Sequence, residues 1–87
     1  PLYEQIVLKA RELNMAGATV LRGIMGYGAS SRIHTTKILS LSDDLPVVIE
    51  IIDKENRIDS IMPFLDETVK DGLITKEKVD IISYRHS

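Results

Sequence analysis

The order of apolar patterns predicts an α+β chain with two helices on one face of an antiparallel sheet. Three observations lead there. Two stretches carry apolar residues at helical spacing, Val47 to Asp53 alternates as a strand, and a second strand breaks at glycines into a polar, basic loop. The chain has 87 residues, which fits a single domain spanning 1–87. Such a domain buries only about 60% of the surface of its unfolded chain, so its margin of stability is small.

The first helix is expected from Leu2 to Leu13. Leu2, Ile6, Ala10 and Leu13 form one stripe of a 3.6-residue period, with Glu4, Lys9 and Glu12 off it. Proline suits a helix start, and Asn14 and Gly17 suit its end. A domain opening on a helix leads us to expect a further strand before Pro1. Ala18 to Met25 reads as a strand apolar on both faces, with Gly23 marking a bulge or a close backbone approach. Gly26 and Gly28 end it. The loop then runs to about Ser42, with its flexible part at about 29–37, and a structureless loop of that size in so small a domain is usually functional.

Val47, Ile49 and Ile51 occupy one face of the next strand, and Val48, Glu50 and Ile52 the other. A second helix is expected from Lys54 to Lys70 on the stripe Ile58, Ile61, Met62, Leu65 and Val69, kinked at Pro63 and ended by Gly72. Val79 to Tyr84 reads as a last strand, and 85–87 as a tail. With one strand restored at the front the order becomes βαββαβ, the ferredoxin-like plan. Val48, Ile52, Ile82 and Tyr84 then lie on the sheet face that the helices leave open, so a closed homo-oligomer is expected to cover them.

Composition excludes several classes. The formal net charge is −2, which argues against a general nucleic-acid binder. There is no cysteine, so no disulfide and no thiolate metal site, in keeping with a reducing cytoplasm. No apolar run approaches the roughly 20 residues of a membrane helix, and the start lacks a signal-peptide pattern. His34 and His86 are far apart, which makes a poor zinc pair. No nucleophile signature occurs. Ser30, Ser31 and His34 share a loop that lacks the rigid orientation catalysis requires, and an acylphosphatase-type site would need a water-positioning asparagine, whereas Asn14 and Asn56 lie near helix ends. We expect no enzymatic role.

Charge is segregated. After Glu12 the next carboxylate is Asp43, and the interval holds Arg22, Arg32, His34 and Lys37. Either a buried strand and a polar loop leave acids out, or the segment faces an anion. Gly26 and Gly28 either present N–H groups to a phosphate or permit a turn. Tyr27 either stacks on a ring or fills a strand end. Arg32, His34 and Lys37 either clamp phosphates or carboxylates or stay solvated. Arg22, on an apolar strand, needs a partner, and Glu50 is the expected one.

The phrase Gly17-Ala18-Thr19-Val20-Leu21-Arg22-Gly23-Ile24-Met25-Gly26-Tyr27-Gly28, then Arg32-Ile33-His34, with Leu45-Pro46-Val47-Val48-Ile49-Glu50-Ile51, resembles the PII-like signalling proteins. It is nearest to the domain-of-unknown-function family numbered one hundred and ninety. The resemblance covers Pro1 to Tyr84 and implies a ferredoxin-like subunit of a homotrimer. Its sheets would face inward, and it would bind a small anionic ligand, an adenine nucleotide in PII proteins, between subunits. The 27–42 loop would carry contacts to a target protein. By position, Gly26, Tyr27 and Gly28 match one phosphate-holding element, and Lys78 matches the basic residue of the other. That second element reads Gly72-Leu73-Ile74-Thr75-Lys76-Glu77-Lys78, with one glycine where PII proteins have several. The ligand-binding set is therefore Gly26, Tyr27, Gly28, Arg32, His34, Lys37 and Lys78. A module of the same fold that docks partners without a ligand is the alternative, and a metal-binding protein or small enzyme a third.

Overall fold

A computed structural model describes residues 1–26, 34–35 and 45–85. It has the α+β, ferredoxin-like character expected: two helices on a small antiparallel sheet. The order is α1 (Leu2–Glu12), β1 (Gly17–Arg22), β2 (Met25–Gly26), β3 (His34–Thr35), β4 (Val47–Ile52) and α2 (Glu55–Thr68). Among the described residues the first element is helix α1.

Helix α1 stops as its sequence predicts. Asn14 takes a left-handed φ of 56°. Its N–H donates to Arg11 O, and the Met15 N–H donates to Ala10 O, both at 2.9 Å. This pair of bonds closes the last turn around a C′ asparagine in a Schellman arrangement. Helix α2 runs unbroken through Pro63, so the expected kink does not interrupt it.

Strands β1 and β4 pair antiparallel, from Gly17 opposite Ile52 to Arg22 opposite Val47. Alternation along the strands then sorts the side chains into two faces. Ile49 and Ile51 pack on the core built from Ile6, Ala10, Ile61 and Leu65. Met62, Val69, Leu13, Met15 and Phe64 close around it, so the two helical stripes read from the sequence meet the inner face of β4. Leu21, Val48 and Ile52 lie on the other face, 53%, 53% and 46% exposed.

The same alternation corrects the expected Arg22–Glu50 pair. Arg22 stands opposite Val47 and Glu50 opposite Thr19. Arg22 lies three positions along the strand from Thr19, an odd step, so Arg22 and Glu50 project to opposite faces. The Arg22 guanidinium instead lies over the Tyr3 ring, 5.7 Å from its centroid, a cation–π contact.

The last expected strand also differs. Residues 79–84 form no ladder, and Val79, Ile81, Ile82 and Tyr84 are all exposed. A strand is held by pairing, and β-branched composition cannot supply the partner. The segment is anchored by Lys76, whose Nζ is 3.2 Å from Glu55 Oε2, and by the Tyr84 hydroxyl, which donates to Ala16 O at 2.9 Å.

Asp53 ties the turns together at this end of the sheet. Its Oδ2 accepts from the Ala16 N–H at 3.0 Å and its Oδ1 from the Lys54 N–H at 2.7 Å. Arg57 sits 3.7 Å from the same carboxylate and also donates to Leu13 O. The Asp53 side chain is only 11% exposed. Asp53→Ala is expected to lower stability by about 1–3 kcal/mol, because two backbone donors lose their acceptor and a guanidinium its counter-charge. A shifted urea midpoint with unchanged slope is the readout, and an unmoved midpoint would show the carboxylate to be incidental.

Candidate functional site

The glycine-rich turn sits where β1 ends against the start of β4. The Gly23 N–H donates to Pro46 O at 2.8 Å, extending the β1–β4 pairing past Arg22. The chain then enters β2, which pairs with β3 so that Met25 stands opposite Thr35 and Gly26 opposite His34. Two of the expected ligand residues, Gly26 and His34, are thereby neighbours across a short antiparallel ladder. His34 and Thr35 form β3, within the 29–37 stretch; the rest of that stretch lies outside the described residues.

Gly26 has a structural reason to be glycine. A Cβ there would stand 2.6 Å from Pro46 Cγ, and one at Gly23 would stand 3.4 Å away. The first distance is below any ordinary contact, so the Pro46 ring or the hairpin would have to move. Leu45, beside it, is 3% exposed and holds this corner in the body. Gly26→Ala is expected to destabilise by about 1–3 kcal/mol, the usual cost of overpacking. Pairing it with Pro46→Ala, which removes the obstructing Cγ, should recover part of that loss in a thermal melt. If the two losses simply add, the contact is not the cause.

Tyr27, Gly28, Arg32 and Lys37 lie outside the described residues. Lys78 is exposed in the segment that follows α2. Among the described residues no group of three or more His, Asp or Glu side chains could hold a metal ion. No described helix is long and apolar enough to cross a membrane.

Sequence reasoning missed two features of this region. One is the role of Pro46 as the surface on which the glycines pack; the Leu45-Pro46 pair reads in sequence only as a turn. The other is an apolar groove between α1 and β1, lined by Tyr3, Glu4, Val7, Leu8 and Val20. The spacing of Tyr3 and Val7, one helical turn apart, was its only signal.

Comparison with known proteins agrees on one family. The family DUF190, described as "Uncharacterized ACR", matches residues 1–81. A "UPF0166 protein" of Aquifex aeolicus is 43% identical over 84 residues, which covers 94% of this chain and 77% of that protein. A second Aquifex aeolicus "UPF0166 protein" is 36% identical, covering 90% and 81%. A "UPF0166 protein" of Methanocaldococcus jannaschii is 39% identical, covering 84% and 68%. No solved structure matches the chain. With a family match over nearly its whole length and relatives this similar, the chain belongs to the DUF190 family of the PII-like superfamily.

Proposed function

We propose that this protein is a non-catalytic regulatory subunit of PII type. It forms a homotrimer in the cytoplasm and binds a small anionic ligand, with adenine nucleotides the first candidates, in the cleft between subunits. The 27–42 loop reports occupancy to a target protein through an order–disorder switch. The observation that carries this reading is the apolar sheet face of Leu21, Val48 and Ile52, left open beside the glycine hairpin. A sheet apolar on both faces needs a second cover, and copies of the same chain cover three such faces at once around one axis.

The rest of the reading follows from that packing. A trimer closed on this face sets the end of β1 and the β2–β3 hairpin of one subunit against its neighbour. Lys78, exposed in its own chain, then has a neighbour's hairpin within reach. Gly26, Tyr27 and Gly28 supply backbone N–H groups, while Arg32, His34, Lys37 and Lys78 supply positive charge. The interval between Glu12 and Asp43 has no carboxylate to repel an anion.

Two measurements test it. Light scattering at micromolar concentration should give the mass of three chains; a monomer overturns the trimer. Calorimetry against ATP, ADP, AMP and cyclic AMP should give heat with at least one, reduced in Lys78→Ala. A trimer that binds none of them but retains a target through its loop is the ligand-free interaction module instead.

A further inference from the structure

We propose that the open face of the β1–β4 sheet is covered by the 79–85 segment of a second copy of this chain, whose Arg85 pairs with Glu50. That face is not purely apolar. Val48, Glu50 and Ile52 follow one another at two-residue steps along β4, so a carboxylate stands in the middle of the row. Glu50 is exposed and has no ion-pair partner among the described residues. Thr19, opposite it on β1, carries no charge. Whatever covers Val48 and Ile52 also takes Glu50 out of water, and a carboxylate buried without a counter-charge is strongly disfavoured. The covering surface must therefore be apolar and carry a cation.

The segment after α2 meets both demands. Val79 and Ile81 are 56% and 58% exposed and belong to no ladder. Arg85 ends the same run, exposed and without an ion-pair partner among the described residues. Laid out as a strand, Val79, Ile81 and Arg85 share one side, and Asp80 turns to the other. Other cations are engaged: Lys9, Arg57 and Lys76 in ion pairs, and Arg22 over Tyr3. A guanidinium also suits an interface better than an ammonium, since its planar fork meets a carboxylate with two hydrogen bonds and is less strongly hydrated. The Tyr84 hydroxyl, on Ala16 O, keeps the segment at the sheet end of its own copy, with Val79 and Ile81 left for a neighbour. A face on one copy and a segment on the next make a head-to-tail contact, the kind that closes into rings.

This inference rests on the reading of that face as a contact between copies, and charge reversal separates the two. The whole chain is followed by light scattering over a dilution series. Arg85→Glu and Glu50→Arg each set like charges together, and each should make the oligomer dissociate at concentrations at least about tenfold higher. The double variant restores an opposite pair and should recover most of the parent behaviour. Ile81→Gln should weaken assembly as well. Arg85 and Ile81 lie outside every helix and ladder, so their variants should keep the parent circular dichroism spectrum. An oligomer that neither Arg85→Glu nor Ile81→Gln weakens would overturn the segment as the cover and leave self-association standing. Single variants that fall apart without recovery in the double would overturn the Glu50–Arg85 pair. A parent protein that is a monomer would overturn both readings.

Discussion

Replacing Ile61 with alanine is expected to cost about 2–5 kcal/mol of folding stability. Ile61 is 1% exposed, the most deeply buried side chain among the described residues. It sits in the cluster that joins α1, α2 and the inner face of β4. Truncation removes three methyl or methylene carbons from that junction and leaves a cavity that two helices and a strand must collapse to fill. A domain of this size holds only about 5–15 kcal/mol in total, so the variant should be partly unfolded near physiological temperature. Urea denaturation followed by far-ultraviolet circular dichroism reads the shift. Ile58→Ala, on the same helix but half-buried, is the control and should lose clearly less. Equal losses would mean that the core is not centred where the structure puts it.

Replacing Val48 with aspartate should have the larger effect on assembly and the smaller on the fold. Val48 points away from the helices and is 53% exposed in the single chain, so a carboxylate there is solvated in the monomer. In the proposed trimer the same carboxylate would be buried without a counter-charge in every subunit, at a cost of several kcal/mol each. Light scattering should then fall from three chains to one, while the circular dichroism spectrum keeps its shape. Ile52→Asp, on the same face, should act alike. A Val48→Asp protein that keeps the parent mass would place the interface elsewhere. One that loses both mass and secondary structure would show that this face supports the fold of the single chain.

The helices were legible in the sequence because burial and periodicity agree there. Ile6, Ala10, Ile61 and Leu65, four positions of the two predicted stripes, are the buried core. Strand β4 was legible for a related reason. Its alternation is regular, and its two faces carry enough apolar residues to read as buried on one side and needing cover on the other. The last strand was misread. Val79 to Tyr84 has strand composition, but its residues lie exposed without a ladder. Composition states what would suit a strand, and only a neighbour with free N–H and C=O groups makes one.

The candidate site was legible in part. The glycines of Arg22 to Gly28 marked the place where the chain changes direction, and the structure sets Gly23 and Gly26 against Pro46 there. The sequence could not separate a glycine needed for close packing from one needed by a ligand, since both demand a missing Cβ. The partner of Arg22 was misassigned for the same kind of reason. Strand adjacency made Glu50 plausible, but register put it on the opposite face and left Tyr3 under the guanidinium.

The α+β class, both helical stripes, the helix stop at Asn14 and the family are readable from the residues in order, because these depend on local periodicity, turn chemistry and shared motifs. Tertiary structure alone decided the β1–β4 register, the His34–Gly26 pairing, the Pro46 contact and the α1–β1 groove. Each of these depends on which residues far apart in the chain come together, and one residue of register reverses every side chain from one face of a sheet to the other.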